Sequence, residues 1–218
     1  IGMRENFEFA LNQIKPGYVI ALGGDDGLLP NGISNMWEVL RATNKEILTW
    51  PASLYSFPEV NGKDGQIVIY HDKGVRIINS KKYLDRQSKN LYYLTDKESP
   101  MFYVKGVVST ELIDRVKSRS TNNQFYSCPT PDGYSGIVLA GEVESYAYSG
   151  EPFSLYGMSS SSQGLAYQKD DKKSKIESDL FFKISDLTPM HRELASQPYS
   201  PLITLMTVDY LLTAKDLP

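Results

Sequence analysis

Tyr18-Val19-Ile20-Ala21-Leu22-Gly23-Gly24-Asp25-Asp26-Gly27-Leu28-Leu29-Pro30 sets an apolar run directly against an acidic turn flanked by glycines. A short run with almost no polar residue has the pattern of a central strand buried on both faces. The glycines break it at its carboxyl end. Upstream, residues 6–14 place Phe7, Ala10, Leu11 and Ile14 on one helical face, and Pro16-Gly17 stops that helix. Downstream, a second helix is expected over about 32–41, with Ile33, Met36, Trp37 and Leu40 turned inward.

The rest of the chain continues the alternation. A strand is expected over 46–50, then an aromatic loop with Pro51, Tyr55 and Pro58. A hairpin follows, signalled by Asn61-Gly62 and Asp64-Gly65 before a strand over 66–70. Residues 71–99 are polar and lysine-rich, with no clear period. A strand over 101–108 leads to Ser109 as an N-cap and a helix over 110–119, with Leu112, Ile113 and Val116 inward. Residues 125–131 read as a loop, and Asp132 opens a small apolar helix over 134–143. The Ser-, Asp- and Lys-rich stretch 159–175 reads as a mobile surface loop. The tail is helical, with Leu202, Leu205, Met206 and Tyr210 inward. Strands alternating with helices define an α/β protein.

The composition of the 218 residues narrows the function classes. Net charge is −3, so a partner recognised by bulk charge, such as duplex nucleic acid or an anionic membrane face, is not expected. The single cysteine, Cys128, rules out an internal disulfide and points to a reducing compartment and a buried structural thiol. The longest apolar run, 202–212, is interrupted by Thr204, Thr207 and Asp209 and falls short of the ~20 residues that cross a bilayer.

Ligand sites in open α/β sheets lie beyond the carboxyl ends of the strands, which is where Asp25 and Asp26 fall. Adjacent carboxylates repel, and a divalent cation of the Mg²⁺ or Mn²⁺ type relieves that repulsion while holding substrate phosphates. The same residues also suit an Asp-Gly turn with Asp26 as a helix cap. Other motifs fail. The turn lacks the Gly-Lys-Ser/Thr of a phosphate-binding loop. Gly133-Tyr134-Ser135-Gly136 is one residue short of a hydrolase elbow, with only His71 and His191 available as bases.

Three stretches in this order resemble a family 2 glycosyltransferase with the GT-A fold. They are the helix, strand and acidic turn from Glu5 to Pro30; Trp50, Tyr55 and Pro58; and the segments Pro100-Met101-Phe102-Tyr103, Val107-Val108-Ser109 and Pro131-Asp132-Gly133-Tyr134-Ser135-Gly136. The resemblance implies a GT-A-like mixed sheet flanked by helices, lacking part of the usual N-terminal Rossmann-like half. It divides the chain into a catalytic portion, 1–164, and a C-terminal loop and helical tail, 165–218.

The implied activity is metal-dependent transfer of a sugar, with inversion, from a nucleotide-diphosphate donor to a glycan or lipid-linked acceptor in polysaccharide biosynthesis. The implied setting is the cytoplasm, peripheral to a membrane. By the resemblance, Asp26 is the principal ligand of Mn²⁺ or Mg²⁺, with Asp25 beside it and His191 as a late metal ligand. Gly24, Asp25, Ser159 and Ser162 border the donor, the serines in a Gly/Ser loop with Gly157 and Gly164. Asp132 is the base. Trp50, Tyr55 and Tyr134 face the acceptor, and Lys172, Lys173 and Lys175 are candidates for the diphosphate.

Blander readings stand beside these: a helix cap for Asp132, a surface or packing histidine for His191, a linker for the Gly/Ser loop, core for the aromatics and a solvated face for the lysines. Two departures from the family pattern are visible. Gly24 stands where the family commonly has a third acidic residue, and the nucleotide-gripping half expected before the acidic strand would have to come from a preceding segment or another copy. A non-catalytic carbohydrate- or partner-binding module derived from such a transferase is the alternative expectation.

Overall fold

The computed structural model describes residues 2–62, 64–160, 162, 180, 183, 189–197 and 202–218. The helices are α1 (Met3–Leu11), α2 (Gly32–Thr43), α3 (Pro58–Asn61), α4 (Ser80–Asn90), α5 (Thr110–Arg119), α6 (Pro131–Glu142) and α7 (Ile203–Lys215). The strands are β1 (Tyr18–Val19), β2 (Gly27–Leu28), β3 (Ile47–Thr49), β4 (Ser53–Ser56), β5 (Gln66–Val68), β6 (Val75–Asn79), β7 (Gly106–Ser109), β8 (Ser145–Ser149) and β9 (Ser154–Met158). They form two mixed sheets, ordered β1-β7-β3-β8-β6 and β2-β9-β4-β5. In the first sheet only β3 and β8 run parallel; in the second, only β4 and β9.

The centre of the first sheet is buried on both faces because β3, β7 and β8 carry apolar side chains to both sides. Neighbouring residues go to opposite sides. Ile47, Val108, Tyr146 and Tyr148 join the large cluster under α4, α5, α6 and α7, while Leu48, Val107 and Ala147 join Met36, Leu40, Trp50 and Phe153 beneath α2. Met206 and Tyr210 bring α7 into the larger core, against α6. Among the described residues no helix is long and apolar enough to cross a membrane.

Several expectations are corrected. The run 18–22 is an edge strand of two residues paired with β7, followed by a single parallel bridge from Ala21 to Tyr103, and Tyr18 and Leu22 are exposed. On α2 the buried positions are Met36 and Leu40, whereas Ile33 and Trp37 face solvent. Leu202 is exposed as well. The strand expected over 101–108 begins only at Gly106, because Val104 adopts φ 59° and no strand passes through that conformation. Within 71–99 the structure holds β6 and α4, capped by Asn79 accepting from the Lys82 N–H at 3.0 Å. Helix α6 starts at Pro131, so Asp132 lies inside its first turn. Ser109 does cap α5, accepting from the Leu112 N–H at 3.2 Å.

Lys105 is buried beside this break, with Nζ donating to the carbonyls of Lys97 (2.8 Å) and Asp96 (3.4 Å). Burial pulls its ammonium down to about 8, against upward pulls from Asp96 and Glu98. The folded value lies below the unfolded one, so between them the unfolded chain binds more protons and stability rises with pH. Between about pH 8 and 10 this residue should add about 2 kcal/mol. Urea unfolding of Lys105→Met should lack that rise. Equal pH slopes in both chains would show that the lysine stays charged when folded.

Candidate active site

The acidic turn links β1 to β2 and rests on β9. Asp26 is held from two sides: Oδ2 accepts from the Gly23 N–H at 2.6 Å and Oδ1 from the Gly157 N–H at 2.9 Å. The Tyr103 hydroxyl lies on the same side of the turn: a Cβ on Gly23 would meet both that hydroxyl and Asp26 Oδ2. Asp26 therefore locks the turn onto β9 and does not cap α2, whose N-cap is Asn31 in a left-handed conformation. Asp25 is held by the serines beyond β9. Ser159 Oγ donates to its Oδ2 at 2.8 Å and Ser162 Oγ at 2.9 Å. The close approach needs a glycine at 157, since a Cβ there would overlap the Asp25 backbone carbonyl.

Burial pushes the Asp26 carboxyl up, with the Asp25 charge adding to it and the bonds from the Gly157 and Gly23 N–H groups opposing it. Burial also pushes Asp132 up, only partly offset by the backbone N–H groups of Asp132 and Gly133 at the start of α6. The two acidic segments lie far apart in the chain, yet their charges act on the same two tyrosines. The charges of Asp26 and Asp132 both reach Tyr103, and those of Asp132, Asp26 and Asp25 reach Tyr156. Burial is the larger cause of the raised hydroxyl pKa in each ring. Tyr55 stands one strand away, in register with Gly157, its ring edge-on to Phe57 at 4.8 Å.

Other expected site residues lie elsewhere. Trp50 is fully buried, packed edge-on against Phe153, with Nε1 donating to Ser154 Oγ at 2.7 Å; it presents no face to a sugar. Tyr134 is likewise enclosed in the core, on the inward side of α6. Ser135 is buried and donates to the Asp132 carbonyl at 2.6 Å, which disqualifies it as a nucleophile. His191 pairs with Asp216 at 3.0 Å, its backbone N–H donates to Asp209, and none of its contacts is with the acidic turn. Gly24 is exposed, with open space where a side chain would extend. Cys128 is a buried free thiol, raised by its burial. Gly164, Lys172, Lys173, Lys175 and most of the 159–175 stretch lie outside the described residues.

Among the described residues no three His, Cys, Asp or Glu side chains group closely enough to cage a metal by themselves. Mg²⁺ and Mn²⁺ do not require such a cage when substrate phosphates and waters complete the shell around one or two carboxylates. Asp25 Oδ1 carries no hydrogen bond among the described residues, and each Asp26 oxygen retains accepting capacity, so this donor set fits a phosphate-bridged divalent cation. No protein-family model and no curated protein sequence matches the chain.

Proposed function

We propose that this chain is the metal-binding and acceptor-side portion of an inverting GT-A glycosyltransferase of family 2. It would move a sugar from a nucleotide-diphosphate donor to a glycan or lipid-linked hydroxyl. The observation that carries the reading is the acidic turn held on β9, with Asp26 accepting from the Gly157 N–H at 2.9 Å and Asp25 from Ser159 and Ser162 at 2.8 and 2.9 Å. A turn that can hold a cation-bridged diphosphate and a second, raised carboxylate are the two groups that glycosyl transfer needs.

A bound divalent cation would neutralise the diphosphate as the sugar leaves. Asp25 and Asp26 would hold it from the turn, with Ser159 and Ser162 fixing the Asp25 carboxylate. Asp132 would accept the acceptor hydroxyl proton as that oxygen bonds to the anomeric carbon. The bond from that carbon to the diphosphate oxygen breaks on the opposite face, and the electron pair leaves with the nucleotide. A carboxylate pushed upward by burial is a stronger base than one in water, which suits Asp132 to this task.

Isothermal titration with Mn²⁺ and a panel of nucleotide-diphosphate sugars tests the reading. Donor binding should require the metal, and Asp26→Asn should weaken it at least about tenfold, the loss of one charged ligand contact. Glycan binding without metal-dependent donor binding would identify a binding module instead.

A further inference from the structure

Strand β1 leaves one side of the first sheet open. The Thr110 N–H donates to the Gly17 carbonyl at 2.8 Å, and Ala21 exchanges main-chain bonds with Phe102 and Val104. Gly17, Val19 and Ala21 therefore turn their N–H and C=O groups inward, toward β7 and the segment before it. By alternation Tyr18, Ile20 and Leu22 turn theirs outward. No strand among the described residues pairs with that outer side. Natural edges are commonly blunted by a charge or a proline, but residues 18–22 carry neither. Above the edge, α2 continues the apolar surface. Its buried residues Met36 and Leu40 lie on the sheet, whereas Ile33 and Trp37, one turn apart, stand outside it. Trp37 meets the Tyr18 ring edge-on at 6.3 Å.

Tyr18, Leu22, Ile33 and Trp37 are between 39% and 68% exposed. Together they leave roughly 400 Å² of apolar surface open, so two such surfaces supply the apolar core of a standard interface of about 1,200–2,000 Å². The sequence of the edge also fits itself. Set antiparallel to a second copy about a two-fold axis at Ile20, Tyr18 falls opposite the partner's Leu22 and Val19 opposite the partner's Ala21. Further out, Gly17 falls opposite the partner's Gly23, Pro16 opposite the partner's Gly24 and Lys15 opposite the partner's Asp25. The ends of the pair are thus free of bulk and opposite in charge. Lys15 is exposed and has no ion pair or hydrogen bond among the described residues, and Asp25 Oδ1 accepts none there.

We infer that two copies of this chain associate through β1, pairing antiparallel about a two-fold axis at Ile20, with Lys15 of each copy beside the partner's Asp25. The two five-stranded sheets then run on as one, and each acidic turn receives an ammonium from the other copy. The inference goes beyond the transferase reading and does not depend on it, since β1 closes its edge whether or not the turn holds a cation.

Light scattering of the full chain at micromolar concentration should give twice the 24.5 kDa of one copy. Lys15→Asp sets two carboxylates against each other at each end of the pair. It should weaken dimerisation about tenfold or more and leave the far-ultraviolet dichroism unchanged. Ile20→Cys should form a disulfide-linked dimer under mild oxidation, because antiparallel partners that exchange hydrogen bonds lie ~5.5 Å apart at Cα, within disulfide reach. Val19→Cys, which lies opposite the partner's Ala21, should not, and the buried Cys128 does not compete. If Ile20→Cys folds poorly, Tyr18→Cys combined with Leu22→Cys takes its place, both positions being exposed. The mass of a single copy at every concentration overturns the inference. So does a dimer that Lys15→Asp leaves intact, one that neither cysteine variant cross-links, or one that Val19→Cys cross-links equally well.

Discussion

Asp132→Asn should lose at least about a hundredfold in sugar transfer, the usual contribution of a positioned general base, while melting at or above the wild-type temperature at pH 7. The two halves of that result have one cause. Burial disfavours the ionised carboxylate, so the folded-state pKa of Asp132 lies above the unfolded value. With that sign, the native chain is at its most favourable below the ordinary carboxylate range. Stability is then lost as pH rises through the folded value. Asparagine carries no charge to bury, so the difference in melting temperature should grow from about pH 4 to pH 7 and vanish at more acid pH. A residue serving only as the acidic group of α6's first turn, where its charge favours the helix dipole, gives the opposite result: a lower melting temperature with asparagine at neutral pH, and no effect on transfer.

Gly157→Ala should have a comparable effect on binding through geometry alone. The added methyl would overlap the Asp25 carbonyl, which is backbone and cannot swing aside. The acidic turn must then lift from β9, breaking the Gly157 N–H bond to Asp26 and pulling Asp25 from Ser159 and Ser162. The expected cost is about 1–3 kcal/mol of stability, with loss of Mn²⁺-dependent donor binding. Gly24→Ala is the matched control, because nothing lies within contact of a Cβ there. It should bind donor as wild type does. Equal behaviour of the two alanine variants in the binding titration would show that the contact with β9 does not matter to the site.

What could be read in the sequence divides by the range of the interaction responsible. The acidic turn was readable because glycines and aspartates punctuate the chain locally, and the Ser109 cap of α5 for the same reason. The α/β alternation followed from apolar period, since β3 and β7 carry apolar residues to both faces of the sheet. Strand β1 was misplaced because an apolar run states that it packs, not how many neighbours it pairs with. On α2 the period was right and the face half right: Met36 and Leu40 are buried as expected, while Ile33 and Trp37 lie off the sheet. Val104 could not be foreseen, because its positive φ is imposed by Ala21, Ser154 and Tyr103, and a valine alone predicts the reverse.

The candidate site shows the same division. Asp25 and Asp26 stood out as residue types beside glycine, whereas Asp132, Ser159 and Ser162 entered only through the family resemblance. Tyr103 was seen only as part of a matched segment, and Tyr156 gave no signal among fifteen tyrosines. Both acquire meaning only in the folded chain, where the charges of the acidic segments act on them. Trp50 erred in the other direction. Aromatic character fits stacking and core alike, and the fully buried position beside Phe153 decides for the core.

The claim on which the rest depends is that the acidic turn and Asp132 line one metal-bearing site. Paramagnetic line broadening by substoichiometric Mn²⁺ in the isotopically labelled full chain measures this directly. The amides of Gly23, Gly157 and Gly133 and the rings of Tyr103 and Tyr156 should broaden together, and Asp26→Asn should abolish the effect. Broadening at Gly157 with Gly133 and Tyr156 left sharp, or broadening that persists in Asp26→Asn, would contradict it.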